Sequence, residues 1–272
     1  MVRNHTVISI ISLIIIGIAM KAESRPLRHR IEVAVSMESS SEEAKAVCRY
    51  FTGNIIDALN KGEICAAVSK SEEADSKTIT QARYSLRCQV EEYEQRRITR
   101  MKSSGKDVTL GDTANALVEI KVSLYDNYAG KTLKELHVSK SSQGAYGIGK
   151  SKDGPLSQAA AEAVETISQA VNRELKPYTW ESRVIMVKDD LVYISAGRRD
   201  GVDIGTRLEI TASKGVVRIA EDTEPGRYVK IKDVSSNYAY AQLSGLQFIA
   251  AGDRVCLPKD KEPEIIAGIT VR

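Results

Sequence analysis

Residues 29–37, HRIEVAVSM, alternate apolar and polar side chains and are rich in β-branched residues, which predicts a strand. In the segment after it, Ser40 and Glu43 have capping-box spacing. Ala44, Val47, Cys48, Phe51, Ile55, Ala58 and Leu59 then recur at i, i+3, i+4 and i+7, one face of an amphipathic helix that Gly62 is placed to end. EICAAVSK (63–70) predicts a second strand, and polar residues 71–80 a short turn or helix. From Ala82 the period becomes two, with Tyr84, Leu86, Cys88 and Val90 on one side and Ser85, Arg87 and Gln89 on the other. Residues 96–112 are charged and contain Gly and Ser, which predicts a loop or hairpin tip.

Residues 114–126 predict a strong strand that sets Leu117, Glu119, Lys121 and Ser123 against Ala116, Val118, Ile120, Val122 and Leu124. NYAGK (127–131) is a turn, and the more polar 132–143 a return strand near a sheet edge. After a Gly-rich loop, Asp153, Gly154 and Pro155 open a helix striped by Leu156, Ala160, Val164, Ile167, Val171 and Leu175, and Pro177 ends it. The order βαβ, three strands, helix predicts an α+β fold: a mixed sheet with helices on one face. Beyond Trp180 no helical period appears. Residues 183–197 predict two strands joined at Asp189-Asp190, and short strands with Gly-bearing turns follow to Pro258, the pattern of a small β-barrel.

The first residues differ from the rest. Arg3 and His5 precede an uncharged apolar run, Thr6–Met20, followed by small residues. As a helix this run would be about 22 Å long, short of a hydrocarbon core of roughly 30 Å, so it predicts a secretory signal peptide rather than a membrane anchor. The expected organisation is a signal at 1–22, an α+β domain at 23–178, a barrel at 179–258 and a tail at 259–272, with the mature chain periplasmic or secreted.

With 39 basic against 36 acidic side chains the net charge is +3, too weak to argue for nucleic acid. The densest basic run, Arg96, Arg97, Arg100, Lys102 and Lys106, reads as a solvated tip or as a contact for an anionic partner. Cys48, Cys65, Cys88 and Cys256 form no CxxC pair. They read as small buried hydrophobes, or as a Cys48–Cys88 or Cys65–Cys88 bridge, which export permits.

One segment matches a chemical motif. GAYGIGKS, Gly144–Ser151, fits G-x-x-x-x-G-K-[ST], the phosphate-cradling loop of many NTPases. That loop needs a buried parallel strand before it and a helix starting at its lysine. Here the preceding segment is polar and alternating, and the helix waits for Pro155. The expectation is a Gly-rich bridge, with a nucleotide-binding protein through Gly144–Ser151 as the remote alternative. His5, His29 and His137 are isolated, and the carboxylate pairs Glu91-Glu92 and Asp189-Asp190 fall on exposed strand ends or turns. No catalytic, cofactor-binding or metal-ligating residue is nominated, and a non-enzymatic role is expected.

These segments resemble a known group. RIEVAVSM, the SSEEAK helix, EICAAVSK, the hairpin VEIKVSLYDNYAGKTL and the helix QAAAEAVETISQAV are similar to the periplasmic α+β domain shared by the curli channel CsgG, the penicillin-binding-protein activator LpoB and the flagellar assembly protein FlgT. VIMVKDDLVYISAGRRDGVDIGTRLEI, with Gly197, Gly201, Val202 and Gly205 in register, is similar to the SH3-like barrel that ends FlgT-like proteins. Two departures stand out: no lipid-bearing Cys follows the apolar run, and residues 83–126 have a charged tip and little lipid-facing apolar sequence, unlike a membrane-spanning hairpin. The resemblance implies an exported assembly or scaffold protein of the bacterial cell envelope, a flagellar ring or accessory component that meets protein partners and forms homo-oligomers. It would touch a membrane only through its signal or an uncleaved anchor. The alternative is an LpoB-like monomeric regulator that activates a cell-wall enzyme.

Overall fold

The structure, a computed structural model, describes residues 26–70, 82–104, 107–145, 154–213, 227–242 and 249–258. The expected signal at 1–22 and the tail 259–272 lie outside them, as does the polar segment 71–80.

The first half is a five-stranded sheet with two helices on one face. Its strands are β1 (His29–Met37), β2 (Cys65–Ser69), β3 (Tyr84–Ser104), β4 (Asp107–Asp126) and β5 (Lys131–Ala145), in the order β2-β1-β3-β4-β5. β1 pairs in parallel with β2 and β3, and the β3-β4-β5 meander is antiparallel. Alternation sends Ile31, Val33, Tyr84, Leu86, Cys88, Val118, Ile120 and Val122 to one face. There they meet the apolar stripes of α1 (Glu42–Asn60) and α2 (Pro155–Leu175): Phe51, Ile55 and Leu59 from the first, Ala159, Ala163, Ile167 and Val171 from the second.

Three local expectations change. The N-cap of α1 is Ser41, whose side chain accepts from the Ala44 amide, one residue later than the capping-box spacing suggests. Gly62 does not end α1 in a left-handed turn; the helix closes on Lys61 in right-handed conformation. Most of 96–112 is strand rather than loop: β3 and β4 stay paired out to Ser104↔Asp107, six pairs past Ile98↔Thr113, where β5 stops. Charge and Gly content there mimic a loop, but a two-residue connection lets the ladder continue.

The second half is a closed barrel of six strands in the order β10-β7-β6-β11-β8-β9. These are β6 (Glu181–Lys188), β7 (Leu191–Ile194), β8 (Arg207–Thr211), β9 (Arg227–Val234), β10 (Ala239–Gln242) and β11 (Arg254–Cys256). Asp189, at φ 54°, turns β6 into β7 where the Asp-Asp pair predicts it. The barrel has its own core, with Val184, Ile194, Leu208, Ile231 and Val255 among its buried residues.

Sheet and barrel are bonded together at the start of β1. Leu27 packs against the barrel core, the Arg28 amide donates to the Asp200 carbonyl (2.8 Å), and the Trp180 indole donates to the Arg28 carbonyl (3.1 Å). Gly201, at φ 82°, lets this segment approach: a Cβ there would lie 2.3 Å from the Pro26 carbonyl oxygen. Arg30 makes a bidentate ion pair with Asp200, both side chains almost fully buried, and donates to the Asn237 carbonyl (2.8 Å). Arg83 reaches Asp126 and Glu181, each at 3.4 Å, and the Arg183 guanidinium stacks 4.1 Å over the Tyr128 ring.

Removing one partner of a buried pair leaves an uncompensated charge. Asp200→Ala is therefore expected to cost about 3–5 kcal/mol in denaturant unfolding, and Arg30→Leu combined with Asp200→Leu clearly less. A double variant as unstable as the single one would contradict this.

His29 adds a pH term. Its Nε2 lies 3.2 Å from the Tyr178 carbonyl, its ring meets Tyr84 edge-on, and its Nδ1 is buried without a partner. Burial, helped by the Arg83 charge, lowers its pKa from 6.5 to about 4. Between those values the unfolded chain holds a proton that the folded one does not, so stability rises with pH across that window and is lost as pH falls. The loss by pH 4 is expected to be about 3 kcal/mol. Asp200 acts oppositely, since burial pushes its carboxyl up against the pull of Arg30 and the Gly197 amide. Unfolding midpoints from pH 4 to 7 should show a shallower slope in His29→Gln than in wild type; equal slopes would remove His29 from the account.

Candidate functional site

Because both helices lie on one face, the other face of the sheet presents the opposite set of each alternating strand. Glu32 and Ala34 come from β1, Ser85, Arg87 and Gln89 from β3, and Glu119, Lys121 and Ser123 from β4. Near the β1 end a shallow cleft of about 350 Å³ is lined by Glu32, Lys70, Ser85, Arg87 and Asn127. The groove between α1 and α2, about 490 Å³, is mixed, with Asn54, Asp57 and Glu165 beside Ala58, Ala161 and Val164 on its walls.

The open face carries one cluster that the sequence does not announce. In the β4–β5 ladder Lys121 opposes His137 and Glu119 opposes Ser139. In the β3–β4 ladder Val90 opposes Ile120 but Glu92 opposes Glu119, so Glu91 is the extra residue of a β-bulge. The result sets three side chains from three adjacent strands together. His137 Nε2 is 3.0 Å from Glu91 Oε2 and 4.0 Å from Glu119 Oε2, and the three atoms all lie within 4.8 Å of one another. Ser139 Oγ donates to Glu119 Oε1 (3.1 Å), which leaves Oε2 toward the imidazole. All three side chains are at least partly exposed.

His137 is thus not isolated, and Glu91 is in mid-strand rather than at a strand end. Counting register back from the turn at 127–130 pairs Lys121 with His137 and Glu119 with Ser139 once the irregularity at Leu124/Tyr125 is known. The bulge at Glu91 has no such signal in the residue order.

None of the four cysteines is in a disulfide, and burial pushes the Cys65 and Cys88 thiols up to about 12, so these two stay protonated at neutral pH. Cys65 Sγ sits 3.2 Å from Asn172 Oδ1 on α2, and neither bridge considered from the sequence forms.

Of GAYGIGKS, Gly144 and Ala145 end β5, and residues 146–153 lie outside the described residues. Its flanks are described. β5 is an antiparallel edge strand, and α2 begins at Pro155 with Gly154 as N-cap. The first glycine of the motif has a packing reason: a Cβ on Gly144 would lie 2.7 Å from the Pro155 ring.

No family model matches the chain, and no curated protein does. Solved structures are similar to parts of it. Protein CT253 from Chlamydia trachomatis matches at 11% identity over 56% of this chain and 99% of its own, with a TM-score of 0.39. Protein XCC0632 from Xanthomonas campestris, described under the family DUF330, matches at 10% over 58% and 91%, with a TM-score of 0.39. The PelC dodecamer from Paraburkholderia phytofirmans matches at 16% over 52% and 86%, with a TM-score of 0.33. At these identities and TM-scores neither fold nor function is carried over from them. Among the described residues no helix is long and apolar enough to cross a membrane.

An exposed ion pair contributes little to stability, because water screens it and two mobile side chains must be ordered. His137→Ala is therefore expected to shift the unfolding free energy by less than about 1 kcal/mol. A larger loss in denaturant titration would make the cluster a structural element.

Proposed function

We propose that the chain is an exported, non-enzymatic assembly or scaffold protein of the bacterial cell envelope, acting through protein surfaces. Its first 22 residues would deliver it to the periplasm or beyond. The observation that carries this is β5: fifteen residues long, at the edge of the sheet, and paired with β4 alone among the described residues. Such an edge presents a row of backbone donors and acceptors that another strand can complete. It stands on a body whose sheet and barrel are bonded together, so a partner would meet a fixed platform. Homo-oligomers built through this edge are the leading form. A flagellar ring or accessory role rests on the FlgT resemblance alone.

A second reading has its own observation. Lys131, Lys134 and Glu135 of β5 are exposed, and charged edge strands resist pairing with copies of themselves. That favours an LpoB-like monomer that binds a cell-wall enzyme and activates it. Light scattering across a concentration series, with electron microscopy of any larger species, separates the two. Defined oligomers are expected; a strict monomer at high concentration would overturn the ring and leave the regulator.

A further inference from the structure

The geometry points to a transition-metal site on the open face of the sheet, built by Glu91, Glu119 and His137, that takes a zinc-class divalent ion. This does not rest on the assembly reading, since the site is on the face of the sheet and the edge pairing of β5 is not part of it.

The donor set comes first. One imidazole nitrogen and two carboxylate oxygens suit zinc and its first-row neighbours, whereas magnesium and calcium favour all-oxygen shells. Three protein ligands leave the remaining positions to water.

The spacing comes next. A metal with bonds of roughly 2.0–2.2 Å holds tetrahedral N and O ligands about 3.3 Å apart. The observed separations are 3.0 Å and 4.0 Å, with all three atoms inside 4.8 Å. Side-chain rotation alone can close the remaining gaps, because the ladder already fixes the backbones of three neighbouring strands.

The surroundings also fit. Two carboxylates are held close together, an arrangement that repels without a cation between them. His137 faces both. Ser139 donates to the distal oxygen of Glu119, the kind of outer hydrogen bond that orients a ligating carboxylate. The bulge adds the residue that brings Glu91 in, and bulges commonly re-aim a side chain. Lys121 opposes His137 in the ladder, so its ammonium is the charge that opposes an incoming ion.

The test is zinc titration of the full chain, free of affinity tags, by calorimetry in metal-free buffer. Wild type is compared with Glu91→Gln, Glu119→Gln, His137→Ala and Ser139→Ala. One saturable site per chain is expected, weakened at least about tenfold by each ligand substitution and by about tenfold in Ser139→Ala. Excess magnesium should not displace the zinc. Proton NMR supplies a second readout: zinc should move the His137 ring signals and leave those of buried His29 in place. Circular dichroism confirms that each variant is folded. Absence of saturable binding, or binding that the three ligand substitutions leave intact, would overturn the site; so would zinc-induced shifts at His29 rather than His137.

Discussion

The carboxylate of Asp200 holds the molecule together at its most demanding point. Within the barrel it accepts the Gly197 amide (2.7 Å) and so closes the short 3-10 turn Arg198–Asp200. Across the junction it binds the Arg30 guanidinium from the first residues of β1. Arg30 in turn reaches the Asn237 carbonyl in the loop before β10. Two barrel loops are thereby fixed to one strand of the sheet. Desolvating both charges is costly, and an apolar substitute could match the stability. What an apolar pair could not supply is direction: a two-pronged guanidinium donates to both oxygens of a carboxylate in one plane, which sets how sheet and barrel meet.

The junction concentrates polar burial in a way the two cores do not. Within the cores the buried side chains are almost wholly apolar. At the junction His29, Arg30, Arg83 and Tyr84 each bury a polar atom that has no protein partner, as Ser182 and Ser195 do in the barrel. The junction is therefore an ionic seam between two apolar cores, and acid weakens it through His29, which burial keeps neutral in the folded chain.

Much of the fold was legible because it rests on local periodicity. The two-residue alternation of β4 separates Ala116, Val118, Ile120, Val122 and Leu124 from their neighbours, and the structure buries that set. The helical stripe from Ala160 to Leu175 behaves the same way. The barrel was legible through its turns, since Asp189 and Gly201 take backbone conformations few residues adopt. The paired extension of β3 and β4 was not legible, because charge and glycine carry the same signature in a loop and in a paired ribbon. The junction was not legible either: Arg30 and Asp200 lie 170 residues apart, and nothing local marks either as a buried ion.

The Glu91, Glu119 and His137 cluster shows why a sheet face hides its chemistry from the sequence. A helix gathers functional residues at i, i+3 and i+4, where the eye finds them. A sheet gathers them across strands, at spacings set by turn lengths and bulges. Here the ligand-type atoms come from positions 91, 119 and 137, and they meet only because one turn and one bulge set the register. Moving that register by one residue would send His137 to the helix-covered face, where Leu136 and Val138 now pack. The same ladder that keeps the core apolar therefore holds the cluster on the open face.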